Sequence, residues 1–265
     1  MEHTKLFFSS VERCLEYASQ PVPDFVTRDS RKVWKNNPDW AGSRDYDHAL
    51  QIAREGLSLE KIQAMMGELS IGVKQQELFH DVTGSYVDIG RYLEGEPENM
   101  INFQESQENR FIDVKFLFSE NGGVSSDTFT NKVIVLASVV DRLESIGFRV
   151  RLIACCRCRQ DNVGKKFRFD MDVVVKEYKE NLSIGQVSGC VNASFFRRIM
   201  FSVIEIIHAE RGYDAAEYNY GQSCGWHNED KGNDVLLIGR NGDPYNFTNR
   251  SKLKEVVDQI MKQYA

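Results

Sequence analysis

FIDVKFLFSENGGVSSDTFTNKVIVLASVVDRLESIGFRVRLIACC, residues 111–156, switches its hydrophobic period from strand to helix and back, and the architecture is read outward from it. Ile112 to Phe118 alternates and then turns fully apolar, as a central strand does. Ser119 to Ser126 is a loop of serine, asparagine and glycine, and Ser126 or Asp127 is placed to cap a helix. Val133, Leu136, Val139, Val140 and Leu143 recur at helical spacing until Ser145-Ile-Gly147 closes that helix. Phe148 to Cys156 reads as a second strand. Strand, helix and strand within about 45 residues predict a βαβ unit, a parallel pair joined by a right-handed crossover.

Downstream, Phe167 to Tyr178 alternates cleanly, which predicts a strand with one wetter face. Ser194 to Ile207 predicts a long apolar helix, Asp234 to Gly239 a short buried strand, and Asn249 to Tyr264 a closing amphipathic helix. Residues 111–265 are therefore expected to form an α/β domain, a three-layer α/β/α sheet. Residues 1–110 read as an acidic helical and irregular extension. Within it, Pro21 to Arg44 is an irregular arm anchored by Trp34 and Trp40. Tyr46 to Glu55 is a helix ended by Gly56, and Ser58 starts a second helix through Leu69, so that the two form a hairpin. Leu78 to Phe103 is glycine-punctuated and acidic, with one short helical turn around Val87 to Leu93. Its many large apolar residues predict a connector packed on the sheet domain.

Composition bounds the function classes. With 265 residues, 33 Lys+Arg, 39 Asp+Glu and 42% hydrophobic residues, the chain is not a collagen, a disordered tail or a membrane bundle. No stretch approaches the roughly 18 apolar residues of a transmembrane helix, and no secretory leader is read at Met1 to Ser10. The cysteines are scattered, which suits a reducing cytoplasm. Charge is uneven: 12 basic and 19 acidic residues precede Phe111, against 21 and 20 from there onward. That asymmetry argues against a general nucleic-acid coat and leaves room for a local basic patch.

On element order, Asp113 to Cys156 resembles the opening βαβ unit of von Willebrand factor A-like domains. The run DVTGSYVDIGRYLEGEPENM, residues 81–100, makes the whole chain similar to an uncharacterised family encoded mainly by bacteriophages. In A-like domains a divalent ion is held after the first strand by Asp-x-Ser-x-Ser, joined by later oxygen ligands. Here the loop opens on Ser119-Glu-Asn and lacks the leading Asp, so the resemblance implies a degenerate domain. Ser119, Ser125 and Ser126, with Asp243 after the last strand, are the partial metal-site candidates, and no metal or cofactor is expected. A-like domains work beside AAA+ ATPases, so the resemblance implies a motor of that class as protein partner and the host cytoplasm as location.

Five features hold chemistry-bearing residue types. Asp170, Asp172, Glu177 and Lys179 have the residue types of a Mg²⁺-dependent nuclease or phosphoryl-transfer centre, with the two Asp on one strand face; the same alternation belongs to any half-solvated strand. Arg149, Arg151, Arg157, Arg159, Lys165, Lys166 and Arg168 face one acid, Asp161, and predict a basic hairpin suited to nucleic acid or to the chain's own acidic part. Cys155, Cys156 and Cys158 lack the two-pair spacing of a zinc ribbon and read as structural thiols. Cys224-Gly-Trp-His227 puts a thiol near an imidazole on a loop, without preset geometry. His208 ends the apolar helix and is expected to serve as a helix C-terminal cation. The leading expectation is a non-enzymatic, phage-encoded interaction or adaptor protein; the alternatives are the Mg²⁺ enzyme and a nucleic-acid-binding protein using the hairpin.

Overall fold

The computed structural model describes residues 2–27, 29–32, 38–57, 78–84, 86–103, 110–162, 165–214, 220–242 and 245–264. The second helix expected from Ser58 to Leu69 lies outside the described residues, as does Asp243.

The βαβ unit forms as the pattern predicts. Strand β5 (Arg110–Leu117) runs into a 20-residue helix, Ser126–Ser145, and returns as β6 (Phe148–Asn162), parallel to β5. The helix is capped one residue earlier than expected, by Ser125, whose side chain accepts from the Thr128 N–H. Gly147 takes φ +93° at the turn into β6, a left-handed value that glycine adopts without a Cβ clash.

From β6 the chain doubles back as β7 (Lys165–Lys176), antiparallel to it. A short strand, β9 (Val235–Ile238), pairs parallel to β5 on the other side. The far edge is β1 (Glu2–Phe8), which pairs parallel to β7 with Leu6 opposite Met171. The main sheet is therefore mixed but mostly parallel, in the order β1-β7-β6-β5-β9, with β8 (Gln222–Ser223) added against the end of β6. The expected division at residue 110 does not describe this packing. Cys14, Leu15 and Ala18 of the helix Val11–Ala18, and Tyr46, Ala49 and Ala53 of the helix Tyr46–Glu55, join the same core as the sheet.

The three-layer expectation also needs correction. Along the strands, Ile112, Val114 and Phe116, then Val150, Leu152, Ala154 and Cys156, then Phe169, Met171, Val173 and Val175, all point to one face. Every described helix that buries residues in this core packs on that face: 11–18, 46–55, 126–145, 184–190, 195–210 and 253–261. Among the described residues, the buried apolar cluster on the opposite face is small, Leu117, Ile153 and Cys155 under Trp226. The physical reason is the other parity of β7, where Arg168, Asp170 and Asp172 leave no apolar stripe for a second helical layer to bury against.

The long helix of the core starts as a π-helical turn, Phe195–Met200, and continues as an α-helix, Phe201–Glu210. The turn buries two adjacent arginines. Arg197 donates to the carbonyls of Trp40, Gly122 and Val124, and Arg198 to those of Ser30 and Ser43. The chain around Ser30, Trp40 and Ser43, and the loop at 122–124, are thus tied to the core by guanidinium groups. Gly189 lets the helix Ile184–Cys190 approach Tyr46–Glu55, since a Cβ there would lie 2.6 Å from the Ala53 carbonyl oxygen.

Residues 78–103 form a second, antiparallel sheet of three strands, β2 (Leu78–Asp81), β3 (Tyr86–Val87) and β4 (Met100–Phe103), with β4 in the middle and a short helix at Ile89–Leu93. The helical turn lies where the sequence predicts it; the strands replace the irregular chain expected around it. The expected burial of the connector is not observed: Val82, Val87, Ile89, Tyr92 and Leu93 are exposed, Leu93 to 78%.

Candidate functional site

Strand register builds a ladder of charge on the face without helices. Lys5 of β1 stands opposite Asp170 of β7, which stands opposite Arg157 of β6; Arg151 of β6 stands opposite Asp113 of β5. Opposite charges directly across a strand pair attract, so the ladder supports the register.

Arg157 is its centre and is 3% exposed. Its guanidinium donates to both Asp230 oxygens, at 2.6 and 3.2 Å, and to the carbonyls of Cys156 and Met171; it also contacts Asp172 Oδ1 at 2.6 Å. Burial opposes the charge, but the Asp230 and Asp172 carboxylates outweigh it and hold Arg157 protonated far above its ordinary range. Burial likewise raises Asp230, yet the bonds from Arg157 hold it below the usual carboxylate range.

A second group stands nearer the β1 edge. Arg168 donates to both oxygens of Asp170 and to Glu229, and Lys5 donates to Glu229 at 2.7 Å. Those two cations hold Glu229 down to about 2, with Lys5 the larger influence. His3 Nε2 lies 2.8 Å from Asp170 Oδ2, and His227 Nε2 lies 3.6 Å from Asp170 Oδ1. Asp230 and Glu229 reach the sheet because the loop carrying them is pinned: the Cys224 N–H bonds to the Arg157 carbonyl, Ser223 Oγ to the Ser119 carbonyl, and the His227 N–H to Asp230. Between the two groups opens a cleft of about 270 Å³ lined by Lys5, Phe7, Lys115, Arg157, Asp170 and Asp172, among others.

The nuclease set is only half assembled. Asp170 and Asp172 share the cleft, but Glu177 lines a different groove beside Ser9, Ser10 and Glu180, and Lys179 is exposed beyond it. A chain turn after Lys176 separates the pairs. The basic hairpin is also divided. Arg151 is bound to Asp113, Arg157 to Asp230 and Arg168 to Asp170, so these three face their own acids; Arg149 and Arg159 are exposed. Lys165 and Lys166 pair through their backbones with Asn162 and Asp161, and their side chains lie outside the described residues.

The partial metal candidates serve other ends. Ser119 is buried, with its Oγ accepting from the Arg157 N–H, and Ser125 is the helix cap. Ser126 lines a separate cavity of about 450 Å³ with Arg44, Phe129 and Asn192. Beside that loop, Glu120 is buried against the Lys132 ammonium, which also donates to the Leu117 carbonyl at 2.7 Å. Cys155, Cys156 and Cys158 are buried, and burial pushes the Cys155 and Cys156 thiols up, as expected of structural thiols. Cys224 Sγ and His227 Nε2 are 3.9 Å apart; burial, then Cys158 and Asp170, push the thiol up to about 11, opposite to what a nucleophile needs. His208 is not a terminal cation: it is buried against the Phe167 ring, and burial with Arg211 lowers it to about 4.

Sequence reasoning missed His3, Lys5, Glu229 and Asp230. The alternation of Glu2 to Phe8, with His3, Lys5 and Phe7 on one side, was the available signal for β1 and for the face on which those residues stand. Among the described residues, no helix is long and apolar enough to cross a membrane. No curated protein and no solved structure matches the chain. A family model described as a domain of unknown function, DUF7192, matches residues 2–264, and the chain belongs to that family.

Proposed function

We propose that this chain is a non-enzymatic interaction protein and that the small sheet, residues 78–103, is its docking surface. The observation that supports this is the exposure of Val82, Val87, Ile89, Tyr92 and Leu93 within a single run of twelve residues. Ile89, Tyr92 and Leu93 stand at i, i+3 and i+4 and so share one side of their short helix. Grouped exposed apolar side chains of this size mark interaction sites. Glu94 and Glu98 are exposed beside them, which suits a partner that offers apolar groups ringed by basic ones. The surface is firmly built, because Asp88 caps the helix and bonds His80, while Arg91 bridges to Glu96 and to the Glu98 carbonyl.

The resemblance to A-like domains extends the reading to a partner class, an AAA+ ATPase, and the likeness of residues 81–100 to a phage family extends it to an adaptor acting in the host cytoplasm. The dispersal of Asp170, Asp172, Glu177 and Lys179 favours this reading over the nuclease. The test is the triple substitution Ile89→Ser, Tyr92→Ser, Leu93→Ser in the full chain, measured against a purified AAA+ ATPase of the same phage genome by sedimentation. Binding by the wild type and a loss of at least about tenfold in the variant, roughly 1.4 kcal/mol, is the expected result. Equal binding by the two proteins removes the small sheet as the docking surface. A fall in the variant's melting temperature would instead show that the patch packs within the chain.

A further inference from the structure

Three segments far apart in sequence bring two imidazoles, two carboxylates and a thiol to the β1 end of the open face. Donor atoms of His3, Asp170 and Glu229 all lie within 4.8 Å of one another. On the far side of Asp170 stands His227, 3.6 Å from the other carboxylate oxygen, and Cys224 Sγ lies 3.9 Å from that imidazole. A separation of 3.6 Å is too long for a good N–H···O hydrogen bond. His227 stands outside that trio and meets the other Asp170 oxygen, so it is a neighbour of the site and not a further donor to it.

Charge balance alone does not account for these side chains. Arg168 and Lys5 already supply two positive charges to the two carboxylates of Asp170 and Glu229. Of the roughly four acceptor positions on a carboxylate, Arg168 fills two on Asp170. His3 and His227 then approach the remaining lone pairs from opposite sides. Both histidines are about a quarter exposed, so an ion can reach them from solvent.

We propose that His3, Asp170 and Glu229 form a binding site for a divalent transition-metal ion of the Zn²⁺ class, with His227 beside it against the other Asp170 oxygen. The imidazole donor selects such an ion over Mg²⁺, which prefers an all-oxygen shell. The site is separate from the loop after β5, where A-like domains hold their ion, and it does not depend on the small sheet being a docking surface. A bound ion would join β1, β7 and the 222–230 loop through one centre, with Arg168 as the outer partner that orients both carboxylates.

The experiment is a calorimetric titration of the tag-free full chain with Zn²⁺, with Mg²⁺ in parallel, and metal analysis after dialysis. One Zn²⁺ per chain, a rise in melting temperature, and no comparable response to Mg²⁺ are expected. His3→Ala and Glu229→Gln should each weaken Zn²⁺ binding by at least the roughly 10- to 100-fold that the loss of a ligand's supporting partner costs. Asp170→Asn should abolish it, and where that variant fails to fold, the His3 and Glu229 variants decide. No stoichiometric uptake by the wild type, or unchanged affinity in both the His3 and Glu229 variants, overturns the site.

Discussion

The helical and open faces of the main sheet both hold charge, and they hold it differently. On the helical side four buried ionisable groups are settled without an opposite charge, although Lys132 there pairs with Glu120: Arg197 and Arg198 by main-chain carbonyls, Glu205 by the Ser30 N–H and the hydroxyls of Ser30 and Tyr220, His208 by staying neutral. On the open side charges are settled by one another, in two connected groups that cross strands. Isolated burial moves a group toward its neutral form, whereas buried pairing keeps both partners ionised. Glu205 is accordingly pushed up to about 7 by burial, while Asp230 is held down by Arg157. The helical face should therefore answer to pH near neutrality, and the open face to the loss of a partner or, at its rim, to salt.

The largest effect should come from breaking the open face at its centre. Arg157→Ala leaves Asp230, 5% exposed, without its buried partner, and should cost about 3–5 kcal/mol in urea unfolding. Arg157→Met combined with Asp230→Leu should recover much of that loss, because the buried charge goes with the pair. A double variant as unstable as the single one would mean that the cost is lost packing.

On the helical face the expected signature is a slope against pH. Glu205 has a folded value of about 7 against 4.5 for the ordinary group. The folded state thus holds the proton more tightly, and this residue removes stability as pH rises from 4.5 to 7, by roughly 3 kcal/mol. His208 is lowered from 6.5 to about 4, so its contribution is present above 6.5 and is lost as pH falls through 4, again by roughly 3 kcal/mol. In the wild type the two slopes oppose across their shared window. Glu205→Gln should make stability fall more steeply on acidification between pH 6.5 and 4.5, and His208→Phe should make it rise. Unchanged slopes in both would show that neither group titrates as its burial requires.

At the rim the effect should be smallest. Lys5→Met removes an exposed partner of Glu229; it should lower the urea midpoint only slightly at low salt and not measurably at about 1 M salt, where surface charges are screened within roughly 3 Å.

The same contrast explains what is legible in the sequence. Patterns that a single segment carries can be read from it: the βαβ unit, the helix ended by Gly56, the strand at Val235–Ile238, and the closing helix with Leu253, Val256, Val257 and Ile260 buried. The alternation of Arg168, Asp170 and Asp172 is also visible, but alternation does not say whether water, a helix or a partner charge lies on the polar side. What completes the site is supplied by His3 and Glu229, and no local spacing links residues brought together by sheet register and a pinned loop. The buried arginines escape such reading because their partners are carbonyls, which have no sequence signature.

The placement of β1 has a consequence for the order of events during synthesis. Leu6 pairs with Met171, so the strand waits for a partner encoded about 165 positions later. At about 5–20 residues per second, that is a delay on the order of ten to thirty seconds. Over that interval an unpaired edge bearing Leu6, Phe7 and Phe8 is available to chaperones or to a neighbouring nascent chain. The earliest of the described strands to be made is thus among the last to be placed. Released chain fragments ending near residue 180 should show protease resistance at Glu2–Phe8 that fragments ending near residue 160 lack.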